Sequence, residues 1–191
     1  MVLEDIQTKT FFVNRVRLAE PRGKDMLKIK DYKNVVSVYE YDGNGKFFHK
    51  VNKGKGRVGE RAGHLGNRGY RVLTLNKKTY LDHRVIFFIH NGFLPEVIDH
   101  INNDPLDNRI ENLRACSVEE NCWNAMLSKS NNSGFKGVGW HSASKKWRAR
   151  LKMRGEEIHI GMFDDLNEAV KAVRKKRESL HGQFCNHGVI L

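Results

Sequence analysis

Between Val97 and Asn121 the chain carries a pattern that leaves little freedom in how it folds. Val97 and Ile98 are branched and apolar, which predicts a short strand ending on Asp99 and His100. The stretch from Asn102 to Arg109 is dense in Asn and Asp and holds Pro105, so it predicts a polar loop. Ile110 to Arg114 predicts the return strand. Ser117 and Glu120 then stand three residues apart, the capping-box spacing that starts a helix. Strand, loop, strand and helix follow in order. With Ser117 as N-cap, Asn121 falls in the first helical turn, where its side chain can face Asp99 and His100 across the hairpin.

Those residue types suit one kind of chemistry. A carboxylate and an amide oxygen are hard ligands for one divalent ion, Mg²⁺ or Mn²⁺, which keeps waters and takes further oxygens from a substrate phosphate. A histidine beside the ion, but not bound to it, can take a proton from water near neutral pH. Asn112 can fix either the imidazole or the hairpin through its side-chain amide. An isolated Asp-His pair is common. Asn112 twelve residues after His100, Asn121 twenty-one after it, and a capping box in register form a specific joint pattern.

Charge divides the chain in a matching way. The 191 residues are 39% apolar, enough for a folded core, and carry a formal charge of +12. Residues 1–60 contribute +5, residues 61–128 are neutral, and residues 129–191 contribute +7. A neutral centre with His64, His83, His90 and His100 lies between two basic flanks. That layout points to a polyanionic partner gripped on both sides of a chemical centre. The longest apolar run, Val85 to Ile89, falls far below the ~20 residues of a membrane span. The acidic start lacks the features of a signal peptide, so an intracellular location is expected. Cys116, Cys122 and Cys185 include no Cys-x-x-Cys pair, which argues against a disulfide framework or a zinc ribbon.

Elsewhere, punctuation and periodicity predict the elements. Thr10 to Leu18 predicts a short helix or strand before a break at Pro21-Arg22-Gly23. Val35 to Tyr41 and Lys46 to Val51 flank Asp42-Gly43-Asn44-Gly45, a hairpin signature. The glycines from Gly54 to Gly69 interrupt a basic stretch that lacks the Gly-Lys-Ser/Thr of a phosphate loop, so it is read as a connector touching a backbone. Tyr70 to Leu75 predicts a strand turned back at Asn76-Lys77-Lys78, and His83 to His90 a helix closed by Gly92 and Pro95.

The C-terminal third has its own pattern. Phe135–His141, Lys146–Met153 and Glu157–Phe163 predict three short strands. In the second, Trp147, Ala149 and Leu151 alternate with Arg148, Arg150 and Lys152, giving an apolar face and a cationic comb. Asp165 and Glu168 cap a helix whose Ala169, Val170, Val173 and Leu180 can cover the apolar face. Trp147, Ile160 and Phe163 are read as core.

Asp99 to Asp104, Asp107 to Arg114 and Glu120-Asn121, with His83-Arg84 and the Gly69-Tyr70 strand before them, resemble the HNH endonuclease family, in particular phage and intron-encoded homing nucleases. Asn103 stands where the family often has glycine, and Asn tolerates the left-handed backbone that place requires. The resemblance implies Asp99 and Asn121 as ligands of one divalent ion, His100 as general base, and Asn112 as the asparagine that positions it. Arg84 is a further expected DNA contact, while His83, His64 and His90 are given structural roles. The implied reaction hydrolyses a DNA phosphodiester to 5′-phosphate and 3′-hydroxyl ends.

Residues 133–186 are similar to the plant ethylene-response-factor DNA-binding domain, through Ser133 to Trp140, Lys146 to Leu151, Ile160 to Asp164 and His181 to Phe184. Arg148, Arg150, Lys152 and Arg154 are the expected DNA-facing set; Gly139 and His141 replace arginines of plant members, so no target sequence carries over. The expected whole is an α+β chain in three parts: a basic, β-rich region over 1–60, a ββα-metal core of the His-Me finger kind over 61–128, and a three-stranded antiparallel sheet with a helix over 129–191. It acts on double-stranded DNA as a monomer or a DNA-assembled dimer, in a bacterial host's cytoplasm, with no small-molecule cofactor. The alternative is a sequence-specific DNA-binding regulator with an inactive HNH core, and a preference for RNA would mark a third reading.

Overall fold

The structure is a computed structural model that describes the backbone of residues 23–188 and the side chains of residues 29–188. The element expected over Thr10 to Leu18 lies outside the described residues. Helix α1 (Gly23–Val38) leads directly into strand β1 (Tyr39–Tyr41), which pairs antiparallel with β2 (Phe47–His49). Asp42 shapes the turn, its Oδ1 accepting from the amides of Asn44 at 2.7 Å and Lys46 at 3.0 Å. The hairpin is shorter than predicted because Val35 to Val38 finish the helix. Val35 is fully buried there against the first core, and tertiary burial overrides its preference for strand.

A second antiparallel sheet joins β3 (His64–Leu65), β4 (Arg71–Leu75) and β5 (Lys78–Leu81) in chain order. Asn76 and Lys77 both take positive φ in its tight turn, as a two-residue hairpin requires. Helix α2 (Asp82–Asn91) follows at once and ends on Gly92, left-handed at φ 73°, whose amide donates to the Phe88 carbonyl. Strands β6 (Val97–His100) and β7 (Leu113–Cys116) pair antiparallel, Asp99 opposite Arg114 and His100 opposite Leu113. The return strand starts later than predicted. Ile110–Asn112 forms a 3₁₀ turn first, closed by the Asn112 amide on the Arg109 carbonyl at 2.9 Å. Helix α3 (Val118–Asn124) carries both halves of its capping box, between Ser117 and Glu120.

Val35, Phe47, Leu73, Val85, Ile86, Ile98 and Leu113 belong to one buried cluster. The boundary expected at residue 60 runs through this core, since α1 and the first hairpin pack on the same apolar group as α2 and β6. A second cluster holds Val138, Ala149 and Leu151 under Ala169, Val170 and Val173. It is built from β8 (Val138–His141), β9 (Lys146–Met153) and β10 (Glu156–Phe163), ordered β10-β9-β8, with helix α4 (Leu166–His181) across one face. The Asp165 carboxylate caps α4 by accepting from the Glu168 amide at 3.0 Å. Trp147, Ile160 and Phe163 pack against this cluster. The fold is therefore α+β, with small antiparallel sheets. Among the described residues no helix is long and apolar enough to cross a membrane.

Leu73 is fully buried, whereas Leu65 in the same sheet is 58% exposed. Leu73→Ala is expected to lower the unfolding free energy by about 2–5 kcal/mol in urea titration, and Leu65→Ala by less than about 0.5 kcal/mol.

Candidate functional site

Strand β6 ends with Asp99 and His100 only 4% and 7% exposed. A buried carboxylate needs donors, and two side chains, Arg114 and Asn124, supply them to Asp99. Arg114, its register partner on β7, reaches Oδ2 with Nε at 2.8 Å and Nη2 at 2.7 Å. Asn124, in the last turn of α3, donates Nδ2 to Oδ1 at 2.9 Å and to Oδ2 at 3.0 Å, and also to the His100 carbonyl at 3.0 Å. Oδ1 thus accepts a single bond and keeps acceptor capacity.

The His100 imidazole is held by Asn108, with 3.0 Å between Nε2 and the side-chain Oδ1. Asn108 is 1% exposed and turns its side-chain oxygen to the ring, an arrangement that the tautomer protonated on Nε2 satisfies and that puts the lone pair on Nδ1. Around the ring stand Tyr70, with centroids 6.0 Å apart, and His83, edge-on at 5.0 Å. Burial pushes the His83 imidazole down to about 3, with a smaller push from His100 and Arg84, so it is a neutral wall. Beside it in sequence, Asp82 is fully buried and burial raises its carboxyl to about 7, against the pull of Arg71 at 3.6 Å.

Asn112 works on the loop. Its Oδ1 accepts from the Asn102 amide at 3.0 Å, and its Nδ2 donates to Asn102 Oδ1 at 2.9 Å and to the Asp107 carbonyl at 2.8 Å. Asn102 in turn donates to Asp107, whose carboxyl Arg109 holds down at about 2. Asn103 takes φ 62°, the left-handed backbone foreseen for it. Of the two tasks open to Asn112, this arrangement gives it the hairpin, and Asn108 touches the imidazole. The loop is also braced from outside: a Cβ added to Gly45, at φ +84°, would sit 3.1 Å from the Asn108 carbonyl carbon.

Asn121 is exposed and shares a cavity of about 250 Å³ with Asp99, His100, Tyr70 and Asn103. Asp99, His100 and Asn121 thus come together as the spacing suggested. Asn108, Arg114 and Asn124 were not singled out by sequence reasoning. Asn124 was the findable one, since it follows Asn121 by three positions, one helical turn further on. Among the described residues no group of three or more His, Cys, Asp and Glu is placed to hold a metal. The carboxylate and carboxamide oxygens at the cavity are those of Asp99, Asn103 and Asn121. Those oxygens, with the spare capacity on Asp99 Oδ1, fit a hard divalent cation that completes its shell from water and phosphate.

The basic residues lie apart from this cavity. Arg84 donates to the carbonyls of Pro95 at 2.9 Å and Glu96 at 3.2 Å and lines a different hollow with Tyr32 and Tyr80, so its guanidinium ties α2 to the next loop. On β9, Arg150 and Lys152 are exposed and Arg148 is half-buried, while Ala149 and Leu151 point into the core. Arg150 is paired with Glu157 on β10. Arg154 sits in the β9–β10 turn, and its backbone amide donates to Glu119 of α3.

Residues 80–122, which contain β6, the loop, β7 and most of α3, match the HNH endonuclease family. The chain is 40% identical to Protein 3.8 of Escherichia phage T7 over 96 residues, which cover 49% of this chain and 78% of that protein. No solved structure matches. The chain belongs to the family of the phage T7 protein and carries an HNH endonuclease domain around Asp99 and His100.

Proposed function

We propose that this protein is a metal-dependent, site-specific DNA endonuclease of the homing type, with a ββα-metal centre over residues 61–128. The observation that carries the reading is the Nε2-to-Asn108 bond of His100, which leaves Nδ1 as the basic nitrogen of a ring opening onto the cavity shared with Asp99 and Asn121. His100 Nδ1 takes the proton of a water molecule, whose oxygen attacks phosphorus as the bond to the 3′ oxygen breaks. The products carry 5′-phosphate and 3′-hydroxyl ends. Asp99 and Asn121 would hold one divalent ion, Mg²⁺ or Mn²⁺, which when bound supplies positive charge beside the phosphate and the leaving oxygen. Asn108 fixes the tautomer of the base, Asn112 fixes the loop that carries Asn108, and His83 and Tyr70 pack against the ring and orient it.

DNA is gripped on both sides of this centre. The basic stretch of the N-terminal part binds backbone phosphates. The sheet β8–β10, similar to the ethylene-response-factor domain, lays Arg148, Arg150, Lys152 and Arg154 on the duplex and confers site preference. One such centre cuts one strand, so a monomer nicks and a DNA-assembled dimer cuts both. The phage relative suggests action inside a bacterial host.

Incubated with plasmid and Mg²⁺ or Mn²⁺, the protein is expected to convert supercoiled DNA to open-circular or linear form, and EDTA to stop it. His100→Ala should slow cleavage by about 10²–10⁴-fold with binding retained. Binding without cleavage by the wild-type protein would instead identify a regulator. Asn108→Asp places a carboxylate against the imidazole and favours its protonated, inactive form, so the rising limb of the pH–rate profile should move to higher pH. An unmoved limb would remove Asn108 from its assigned task. In a salt-controlled binding titration, Arg150→Ala should weaken DNA binding by about 1–3 kcal/mol if the side chain reads a base.

A further inference from the structure

The two hydrophobic cores meet along a seam made of polar contacts, and two of these contacts end on the same carboxylate. Arg114, whose Nε and Nη2 hold Asp99 Oδ2, donates its third nitrogen, Nη1, to the Gln183 carbonyl at 2.6 Å. Its guanidinium carbon lies 4.0 Å above the ring of Phe184, which is 4% exposed. Asn124, whose Nδ2 holds both oxygens of Asp99, accepts on Oδ1 from Asn186 Nδ2 at 3.3 Å. Gln183, Phe184 and Asn186 follow α4, Gln183 lying 69 residues along the chain from Arg114 and Asn186 lying 62 from Asn124. The seam around them is ordered: Trp123 stacks flat on His181 at 4.3 Å, and Lys136 Nζ donates to the carbonyls of Trp123 at 2.7 Å and Ala125 at 2.6 Å.

We infer that the segment Gly182–Gly188 is a working part of the nuclease centre, positioning the carboxylate of Asp99 through Arg114 and Asn124. This rests on the endonuclease reading above. The physical reason is that the segment restricts both holders of Asp99, Arg114 directly and Asn124 jointly with Asn103, whose Nδ2 also donates to Asn124 Oδ1 at 3.4 Å. Arg114 is fixed from below by an aromatic face and from the side by a carbonyl, and its planar fork can then present two nitrogens to one oxygen. Asn124 is fixed at its oxygen end, which commits its amide nitrogen to Asp99. Gln183, Phe184 and Asn186 act through Arg114 and Asn124 and are positioning residues.

The test compares Phe184→Leu, which fills the space without an aromatic face, with Phe184→Tyr, which keeps the face, and with Asn186→Ala, all in the full chain. One readout is the exchange rate of the Arg114 Hε proton by NMR, in protein without metal or DNA. The other is kcat and KM for plasmid nicking in Mg²⁺. Phe184→Leu is expected to speed Hε exchange and lower kcat, each roughly three- to thirtyfold, with KM for DNA within about twofold. Phe184→Tyr should match wild type in both readouts, and Asn186→Ala should lower kcat at unchanged KM. Unaltered Hε exchange and kcat in Phe184→Leu and Asn186→Ala would overturn the inference, as would faster exchange with kcat intact. If Phe184→Leu does not fold, Asn186→Ala decides by kcat: a lowered kcat at unchanged KM supports the inference and an unaltered kcat overturns it. Should wild-type protein fail to cleave any DNA, the endonuclease reading falls, while Hε exchange still decides whether the segment holds Arg114.

Discussion

A carboxylate taken out of water must be met by donors or give up its charge, and the solution found for Asp99 organises the middle of this protein. Its donors come from β7 and from α3, two elements that leave β6 in sequence and return to it in space. The pairing register places Arg114 directly opposite, and the capping box starts α3 at the point that brings Asn124 back over the strand. Shifting either by one residue would send the donor to the other face and leave the charge unmatched. Strand register and helix start are therefore tied to the same buried group, which is why a segment with only a short hairpin and a two-turn helix holds a single arrangement.

The imidazole beside it depends on a longer chain of supports. His100 leans on Asn108, Asn108 sits in a loop closed by Asn112, Asn102 and Asp107, and the hairpin turn at Gly45 presses on the backbone of Asn108 from outside. A loop with this many Asn and Asp residues would ordinarily be mobile; here their side chains bond each other and the backbone and replace the ladder bonds a strand would provide. The first hairpin thus belongs physically to the half of the molecule that carries the HNH domain. That is the structural meaning of a core running across residue 60.

Features written in neighbouring residues were legible in the sequence. The capping box of Ser117 and Glu120, the left-handed Asn103, the stop at Gly92 and the alternation of β9 each rest on bonds or angles spanning four residues or fewer. Asp99, His100 and Asn121 were legible because a short hairpin and a helix start confine them to one cavity. What escaped was decided at a distance. Val35 is β-branched but helical, because its burial in the core where α1 packs on α2 decides its state. The bonds of Arg84 to the carbonyls of Pro95 and Glu96, left over where α2 hands on to β6, are likewise set by tertiary placement. Arg114 looked like an ordinary basic strand residue until register set it opposite a buried acid. No local pattern could show that its third nitrogen would be claimed by Gln183.

The seam between the two halves follows from the same logic of directional bonds. Apolar surfaces tolerate sliding, because burial energy depends on area and hardly on orientation. Here most apolar groups are spent within each half, and the junction is made by an arginine set on a carbonyl and an aromatic face, an asparagine pair, a lysine on two carbonyls and one flat Trp–His stack. Each has a narrow geometric optimum, so a small rotation of one half would weaken all of them together. The sheet β8–β10 joined this way has one preferred position relative to the cavity of Asp99 and His100. Under the endonuclease function proposed above, the distance from cationic comb to that cavity is a property of the fold rather than of a linker, and the offset between the sequence bound and the bond cut is fixed with it.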